Sequence, residues 1–276
     1  MALTRRQIFE RRQRRRSLTA AALSTAAVVL AVVLLVPLAP GWERVQNSFF
    51  DGTVLRTTWP GLLRAFWLDV KIFLWCAPCI VLWGLAIALC RGVRAPALFP
   101  LRIFGALYTD VFRGIPVILT IYLIGFGVPG LGLDRPWNSP YIWGSVALVL
   151  AYSAYVAEVI RAGIESVHEG QRGAARSLGL SSAQTMRFVV LPQAIRRVVP
   201  PLMNDMVSLQ KDVALISVIG PIEVLRQAGI DKSKLANFTP YVGAALIFLA
   251  VTIPLTRLTD WLLRRQVERR TGSTVQ

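Results

Sequence analysis

Histidine is almost absent from this chain, which has one, His168, among 276 residues. Acidic residues are also few, with 15 Asp and Glu in total. One histidine and scattered carboxylates exclude a histidine-rich metal site, and they supply no nucleophile–base or metal constellation for an enzyme. No stretch fits GxxxxGK[ST], so the chain lacks a phosphate-binding loop for ATP. We therefore expect no enzyme activity, no bound metal and no cofactor held by this chain itself.

Cysteine is scarce as well, and its three copies, Cys76, Cys79 and Cys90, lie in one apolar stretch. The first two form a CxxC pattern around Pro78. A redox or metal-binding CxxC needs a polar, electropositive setting that favours the thiolate, whereas this one is flanked by large apolar residues. We interpret the cysteines as small buried thiols beside a proline kink.

Charge is low overall, at 17% of residues, compared with about 25% in soluble domains. Hydrophobic residues make up 54% of the chain, and its mean hydropathy is +0.53. Several apolar runs approach or exceed the roughly 20 residues that cross a bilayer as a helix. Buried helices of soluble proteins seldom run this long without a charge, so we predict a multi-spanning membrane protein rather than a soluble one.

The apolar runs predict an all-α, polytopic membrane bundle of about six transmembrane helices. These spans lie at about residues 18–38, 62–90, 101–128, 141–164, 194–220 and 239–263. The first run is longer than the apolar core of a cleaved signal peptide, the alternative suggested by its basic leader. The third is interrupted at Arg113-Gly114-Ile115-Pro116, and such a break is typical of helices that line a pathway. We expect residues 41–61 and 221–238 to form outer loops.

Positive charge dominates the segments between spans, and the net charge is +16. A basic soluble protein would suggest a nucleic-acid partner, but no nucleic-acid-binding motif is present. With both termini cytoplasmic, 20 of the 31 Lys and Arg residues fall in inside segments and six in outside loops, as the positive-inside rule requires. We divide the chain into a basic tail, first helix and outer loop (residues 1–60), a core (61–263) and a basic tail (264–276).

A polar segment at residues 165–192 is longer than a connector between two spans needs to be. Residues Gln171–Leu178 can form a short helix that Gly179 ends as a left-handed cap. Ser181 and Gln184 then have the spacing of a capping box that starts a second helix, which Leu191-Pro192 closes. A helix with small residues lets a groove of another protein approach closely. The alternative is an amphipathic helix that lies on the lipid surface.

Four stretches of the sequence form distinctive motifs. They are Gly170-Gln171-Arg172-Gly173-Ala174-Ala175-Arg176-Ser177-Leu178-Gly179-Leu180-Ser181 with Leu191-Pro192-Gln193-Ala194, then Phe112-Arg113-Gly114-Ile115-Pro116, Tyr155–Ile164 and Leu209–Ile219. These stretches resemble the permeases of ABC importers, and more narrowly the polar amino-acid uptake family of the histidine, glutamine and glutamate type. The match extends from about residue 60 to 263. The polar segment is similar to the family's EAA loop, although Gly173 stands where the family usually has the glutamate of that motif.

The resemblance implies a type I permease in the bacterial inner membrane that takes up amino acids with energy from ATP. It implies three partners besides the lipid bilayer: a cytoplasmic ABC ATPase dimer that holds ATP and Mg²⁺, a second permease subunit, identical or not, and an extracytoplasmic solute-binding protein. The EAA loop would be a coupling helix that docks on the ATPase, with Arg172 or Glu169 partly replacing the missing glutamate. The coupling residues are then Gly170, Gln171, Arg172, Ala174, Ala175, Leu178 and Gly179.

Polar residues form a stripe on the fifth predicted span. Asn204, Ser208 and Lys211 share one helix face, and Asp205 and Asp212 overlap it. Polar groups inside a membrane usually face a bundle interior or a water-filled cavity. A zwitterionic amino acid needs both donors and acceptors, which this stripe offers. The alternative role is an internal ion pair between Lys211 and an aspartate.

Arg113 and Tyr155 are further candidates for the pathway, and Glu158 and Arg161 are expected to pair near the cytoplasmic end of the fourth span. A channel would require a filter sequence or an acidic ring, and neither is present. A permease for a related solute such as an opine, ectoine or cystine stays open as an alternative.

Overall fold

The computed structural model describes residues 5–93 and 95–271, with side chains for 17–93 and 95–264. Arg94 and the side chains of most of the two basic tails, including Arg265, Arg269 and Arg270, lie outside the described residues. The described part consists of helices and the turns that connect them, and it contains no strand. Its α-helices are α1 (Arg5–Leu35), α2 (Trp42–Phe49), α3 (Gly52–Gly92), α4 (Phe99–Gly114), α5 (Val117–Gly127), α6 (Pro140–Glu165), α7 (Glu169–Ser177), α8 (Ser182–Thr185), α9 (Leu191–Asp212), α10 (Val224–Leu235) and α11 (Thr239–Thr271).

Shorter helical pieces join these elements. A π-helix, Met186–Val190, connects α8 to α9, and a 3-10 helix, Val213–Ile219, continues α9. Three single 3-10 turns, Val36–Leu38, Pro96–Leu98 and Pro129–Leu131, lie in the connections.

Four helices are long and apolar enough to cross a membrane, and two bent pairs raise the number to as many as six. The four are Ser17–Leu38, Trp42–Gly92, Pro140–Glu165 and Thr239–Arg264. The pairs are Pro96–Gly114 with Val117–Leu131 and Ser182–Ile219 with Val224–Leu235. Each predicted span falls on one of these helices or pairs.

The break in the third predicted span is much sharper than a proline kink. Its two halves meet at an angle of 106°. Pro116 lacks a backbone donor and forces the preceding residue out of the helical region, so Ile115 is extended, with φ −99° and ψ 132°. Helix α4 therefore stops at Gly114, and α5 starts afresh in another direction.

Both outer segments that we predicted as loops are largely helical. Residues 41–61 contain α2 and the first turns of α3, which Asp51 caps by accepting hydrogen bonds from the backbone of Thr53 and Val54 at 2.8 and 3.1 Å. Residues 221–238 contain α10. The mixed polarity of these two segments gave no continuous apolar run from which a helix could be predicted. A helix at a membrane surface does not need such a run.

Leu191-Pro192 does not end the second helix of the polar segment, contrary to the prediction. The helical backbone continues from α8 into α9 through the π-helix Met186–Val190. A π turn already replaces the i→i−4 bonding pattern, so the missing N–H of Pro192 disrupts little there.

Helix α6 is the centre of the bundle and packs against α3, α4, α5 and α9. The main core joins Cys76 and Ile80 of α3, Leu148 and Val156 of α6, and Leu209 of α9. All three cysteines are free thiols, and Cys76 is fully buried. Cys79 and Cys90 are half-buried, so only Cys76 matches the interpretation as a buried thiol.

Gly84 sets the closest approach of α3 to α6. A Cβ added at Gly84 would lie 2.6 Å from Cγ1 of Val156 and 3.0 Å from the carbonyl oxygen of Ser153. We expect Gly84→Ala to destabilise the protein by about 1–3 kcal/mol, because two packed helices must separate. Thermal unfolding in detergent measures this effect. Gly92→Ala, where an added Cβ meets nothing within 4 Å, is the control and should unfold like the wild type.

Candidate functional site

Local capping interactions fix where helix α7 begins and where it ends. At its start, Nδ1 of His168 accepts a hydrogen bond from the backbone of Gly170 at 3.0 Å. At its end, Gly179 adopts the left-handed conformation, with φ +86°. Leu180 donates to the carbonyl of Ala175 and Gly179 to that of Arg176, which together form a Schellman motif. The predicted glycine cap is confirmed.

The capping box predicted after this turn is also confirmed. Gln184 accepts from the backbone of Ser181 at 2.8 Å, and Ser181 accepts from the backbone of Gln184 at 3.2 Å. Helix α8 therefore starts where the local sequence indicates. The turn at residues 178–181 fixes its direction relative to α7.

The predicted coupling residues separate onto two sides of α7. Ala175 faces the protein, with 4% of its surface exposed, and α7 packs against the π-helix Met186–Val190. Arg172 is also turned inward, and its guanidinium donates to the carbonyl of Ile164 at 2.8 Å. Arg172 and Ala175 attach α7 to the rest of the permease. Little of their surface is accessible to a partner.

The outward side of α7 consists of Gln171, Ala174 and Leu178, whose spacing of three and four residues places them on one helix face. Leu178 is 83% exposed, which is unusual for a leucine in a polar segment. Gly173, at the position of the family glutamate, lies in open space, since an added Cβ would meet nothing within 4 Å. Glu169 remains exposed and 3.4 Å from Arg172.

The segment that carries α7 is fastened to two membrane helices. Val167, Val190 and Ala194 form a small buried cluster beneath it. Arg197 of α9 donates to the backbone carbonyl of Ser166 and, at 2.9 Å, to its hydroxyl. Gly163 then lets α6 meet α9 closely, because an added Cβ would fall 2.2 Å from Val198. Helix α7 is therefore attached to both α6 and α9.

Glu158 is the centre of a charge network between three helices. Its carboxylate pairs with Arg91 of α3 at 2.7 Å and with Arg161 of α6, and it lies 3.8 Å from Arg113 of α4. The Glu158–Arg161 pair was predicted. Arg91 also donates to the hydroxyl of Thr109 at 2.9 Å, and Arg161 reaches Glu165 as well. This network links the same ends of α3, α4 and α6.

Three of the predicted pathway residues belong to one track of polar and aromatic contacts. The guanidinium of Arg113 lies 5.9 Å from the ring centre of Tyr155. Tyr155 is 6.2 Å, centre to centre, from Tyr152, whose hydroxyl donates to Asp212 at 2.7 Å. Sequence reasoning missed Tyr152, although its three-residue spacing from Tyr155 places both on one face of α6.

The polar stripe of α9 is mostly uncovered in the single chain. Asn204, Ser208 and Lys211 are exposed, and Asp205 is half-buried. Lys211 forms no ion pair with a carboxylate of the described residues, so the alternative of an internal Lys211–aspartate pair is wrong for this part of the chain. One carboxylate oxygen of Asp205 is buried and receives no donor from the described residues.

A helical bundle with broken spans, a polar track and a fastened surface helix defines a multi-pass membrane transport protein. The family model described as "Binding-protein-dependent transport system inner membrane component" matches residues 60–268, and the chain belongs to this family. It is therefore the permease subunit of a binding-protein-dependent ABC importer in the bacterial inner membrane, a transport component rather than an ATPase. Members of this family work with an ATPase and a solute-binding protein.

Relatives of this chain include permeases named for glutamine and for arginine transport. The probable glutamine ABC transporter permease protein GlnM of Bacillus subtilis is 38% identical over 66% of this chain and 82% of its own length. The arginine transport system permease protein ArtQ of the same organism is 32% identical over 83% of this chain and 99% of its own.

Solved structures have the same architecture. The crystal structure of an amino acid ABC transporter with histidines has a TM-score of 0.72 and 35% identity over 78% of this chain and 98% of that one. The MetNI methionine ABC transporter, at 19% identity and a TM-score of 0.59, has the same fold over 74% of this chain and 95% of its own.

Proposed function

We propose that this permease carries amino acids inward and that its partner ATPase supplies the energy. The main support for an amino-acid substrate is the combination of acidic and basic groups along one route. Arg113 and Lys211 are the cations, and Asp205 and Asp212 are the anions. A zwitterion needs both charges to replace its hydration inside a membrane. Relatives whose names specify glutamine and arginine support this class.

The energy enters at α7. The outward face of Gln171, Ala174 and Leu178 docks in a cleft of a cytoplasmic ABC ATPase dimer, which holds ATP and Mg²⁺. Gly170 and Gly179 define the ends of this coupling helix, and Arg172 and Ala175 attach it to the bundle. Docking places α7, both termini of the chain and the excess of arginines on the cytoplasmic side.

The exposed stripe of α9 indicates a second permease subunit. Lipid would leave Asn204, Ser208 and Lys211 without polar partners, at a cost of several kcal/mol for each group. A second permease, identical to this chain or a sister of it, covers the stripe and encloses the pathway between the two subunits. An extracytoplasmic solute-binding protein delivers the amino acid to the outer end of this pathway.

Transport then follows from rigid-body movement. When the ATPase domains close on ATP, α7 moves with them, and its attachments through Arg172 and Arg197 carry α6 and α9 along. Because Tyr152 and Asp212 join these same helices, the movement also changes the polar track. The permease thus opens its two sides alternately while the ATPase performs the chemistry.

Reconstitution tests this function. The permease, the ATPase and the binding protein are placed in liposomes, and uptake of each labelled amino acid is measured with and without internal ATP. We expect uptake that requires all three components and ATP. Uptake without ATP would indicate a channel. Uptake of an opine, ectoine or a related solute in preference to every amino acid would contradict the proposal that the substrates are amino acids.

The hydrogen bond from Tyr152 to Asp212 gives a prediction for the pathway. Tyr152→Phe removes the donor and leaves a membrane-embedded carboxylate poorly paired, so we expect uptake to fall about tenfold. The ATPase should still bind the complex, because the change is remote from α7. Tyr122→Phe on α5, where the ring is exposed, is the control and should transport normally. Normal uptake by Tyr152→Phe would show that transport does not need the hydrogen bond from Tyr152 to Asp212.

A further inference from the structure

Helix α1 precedes the part of the chain that the family model matches. The family model begins at residue 60, and the amino acid transporter structure is matched over 98% of its own length by 78% of this chain. The segment Ser17–Leu38 is apolar enough to cross a membrane, yet none of it is buried against the rest of the described chain. The core of the described chain therefore buries no part of this segment.

Helix α2 ties the outer end of α1 to the core. The Phe49 ring stacks on Phe238 with 4.9 Å between centres. The backbone of Phe238 donates to the carbonyl of Ser48 at 2.7 Å, and Asn237 donates to the carbonyl of Asn47 at 2.9 Å. Helix α2 is therefore fixed at the corner between α10 and α11. Helix α1 ends at the turn that joins it to α2, and it crosses the bilayer beside the core.

The other end of α1 is densely basic. Residues 5–16 contain one glutamate, Glu10, and seven arginines: Arg5, Arg6, Arg11, Arg12, Arg14, Arg15 and Arg16. The apolar part, residues 17–35, is about 28 Å long, close to the hydrocarbon thickness of a bilayer. The arginines therefore begin at the headgroup level. At about 100° per residue they are distributed around the whole helix rather than along one face.

We propose that this arginine-rich end of α1 binds the phosphates of anionic phospholipids and holds these lipids beside the permease core. A protein groove recognises one face of a helix, whereas headgroups surround an emerging helix on every side. Guanidinium groups pair well with phosphate oxygens, and basic clusters next to a membrane span attract anionic lipid. The proposal does not depend on the transported substrate, so its failure would leave the proposed function intact.

Lipid retention by the whole transporter tests the proposal. The complex is reconstituted with phosphatidylcholine and phosphatidylglycerol, partly delipidated, and its retained lipids are quantified by mass spectrometry. We expect phosphatidylglycerol to be enriched, and high salt to weaken the enrichment. Replacing all seven arginines with glutamine should lower the enrichment about tenfold. Enrichment unchanged by this replacement would overturn the proposal.

Two controls test whether the loss of enrichment comes from lipid binding by α1, from a changed membrane topology or from basic residues elsewhere in the chain. Replacing the seven arginines with lysine keeps the charge and the membrane orientation, so the enrichment should persist. Replacing Arg264, Arg265, Arg269 and Arg270 with glutamine should have a much smaller effect. Equal loss in this second variant would assign the lipids to the other basic tail and overturn the proposal for α1.

A photoreactive residue at Gln13 gives a result even if the glutamine variant does not insert. Gln13 lies among the arginines, and its substitution leaves every charge in place. We expect illumination in mixed liposomes to attach phosphatidylglycerol to this position in preference to phosphatidylcholine. Crosslinks to a second permease copy or to another subunit would show that the basic end binds protein, which would contradict the proposal.

Discussion

Leu178→Asp is expected to abolish uptake while the permease still folds and inserts. Leu178 is 83% exposed and makes no contribution to the buried core, so the change removes no buried apolar contact from the folded permease. In a cleft of the ATPase the same side chain would be buried, and a charge there would have no partner. Truncation of a central apolar anchor typically costs about 2–4 kcal/mol of binding, equivalent to a 30- to 1000-fold loss of affinity.

Co-purification distinguishes docking from folding in this experiment. The tagged ATPase should recover the wild-type permease but little of Leu178→Asp, and thermal unfolding of the isolated variant should match the wild type. Leu131→Asp, a change at a leucine that is 77% exposed in the turn between α5 and α6, should leave recovery by the ATPase unchanged. If Leu178→Asp permease binds the ATPase normally, α7 does not dock through this face.

The segment that we propose for coupling was largely predictable because its hydrogen bonds are local. The positive φ of Gly179 and the reciprocal bonds of Ser181 and Gln184 involve residues within a few positions of one another. The division of α7 into two faces was not predictable. Burial of Ala175 depends on the π-helix Met186–Val190, and no sequence pattern indicates a π-helix there.

The spans were predictable from apolar runs, but the contacts between them were not. Tyr152 and Asp212 are 60 residues apart, and Arg91 and Glu158 are 67 apart. Such pairs depend on which helix faces meet in the bundle, and hydropathy does not contain that information. The outer helices α2 and α10 were missed for a related reason, since short helices at a membrane surface carry no long apolar signal.

Glu158→Gln is expected to destabilise the permease and to reduce uptake more strongly than any other single change in the charge network. The carboxylate is 22% exposed and holds Arg91 and Arg161 directly, with Arg113 at 3.8 Å. An amide keeps the shape but loses the charge, so three guanidinium groups from three helices would repel one another without a central anion. Partial exposure reduces the cost, which we place at about 1–3 kcal/mol.

Glu165→Gln is the matched control for this prediction. Glu165 pairs with the same Arg161, but it is 61% exposed and touches only one helix of the network, so its loss should cost less than about 1 kcal/mol. Thermal unfolding of both variants in detergent, followed by uptake in liposomes, compares the two positions. Equal stability of the two variants would mean that Glu158 is solvated like a surface residue. A larger effect at Glu158 would establish that it holds α3, α4 and α6 together, next to the segment that we propose for coupling.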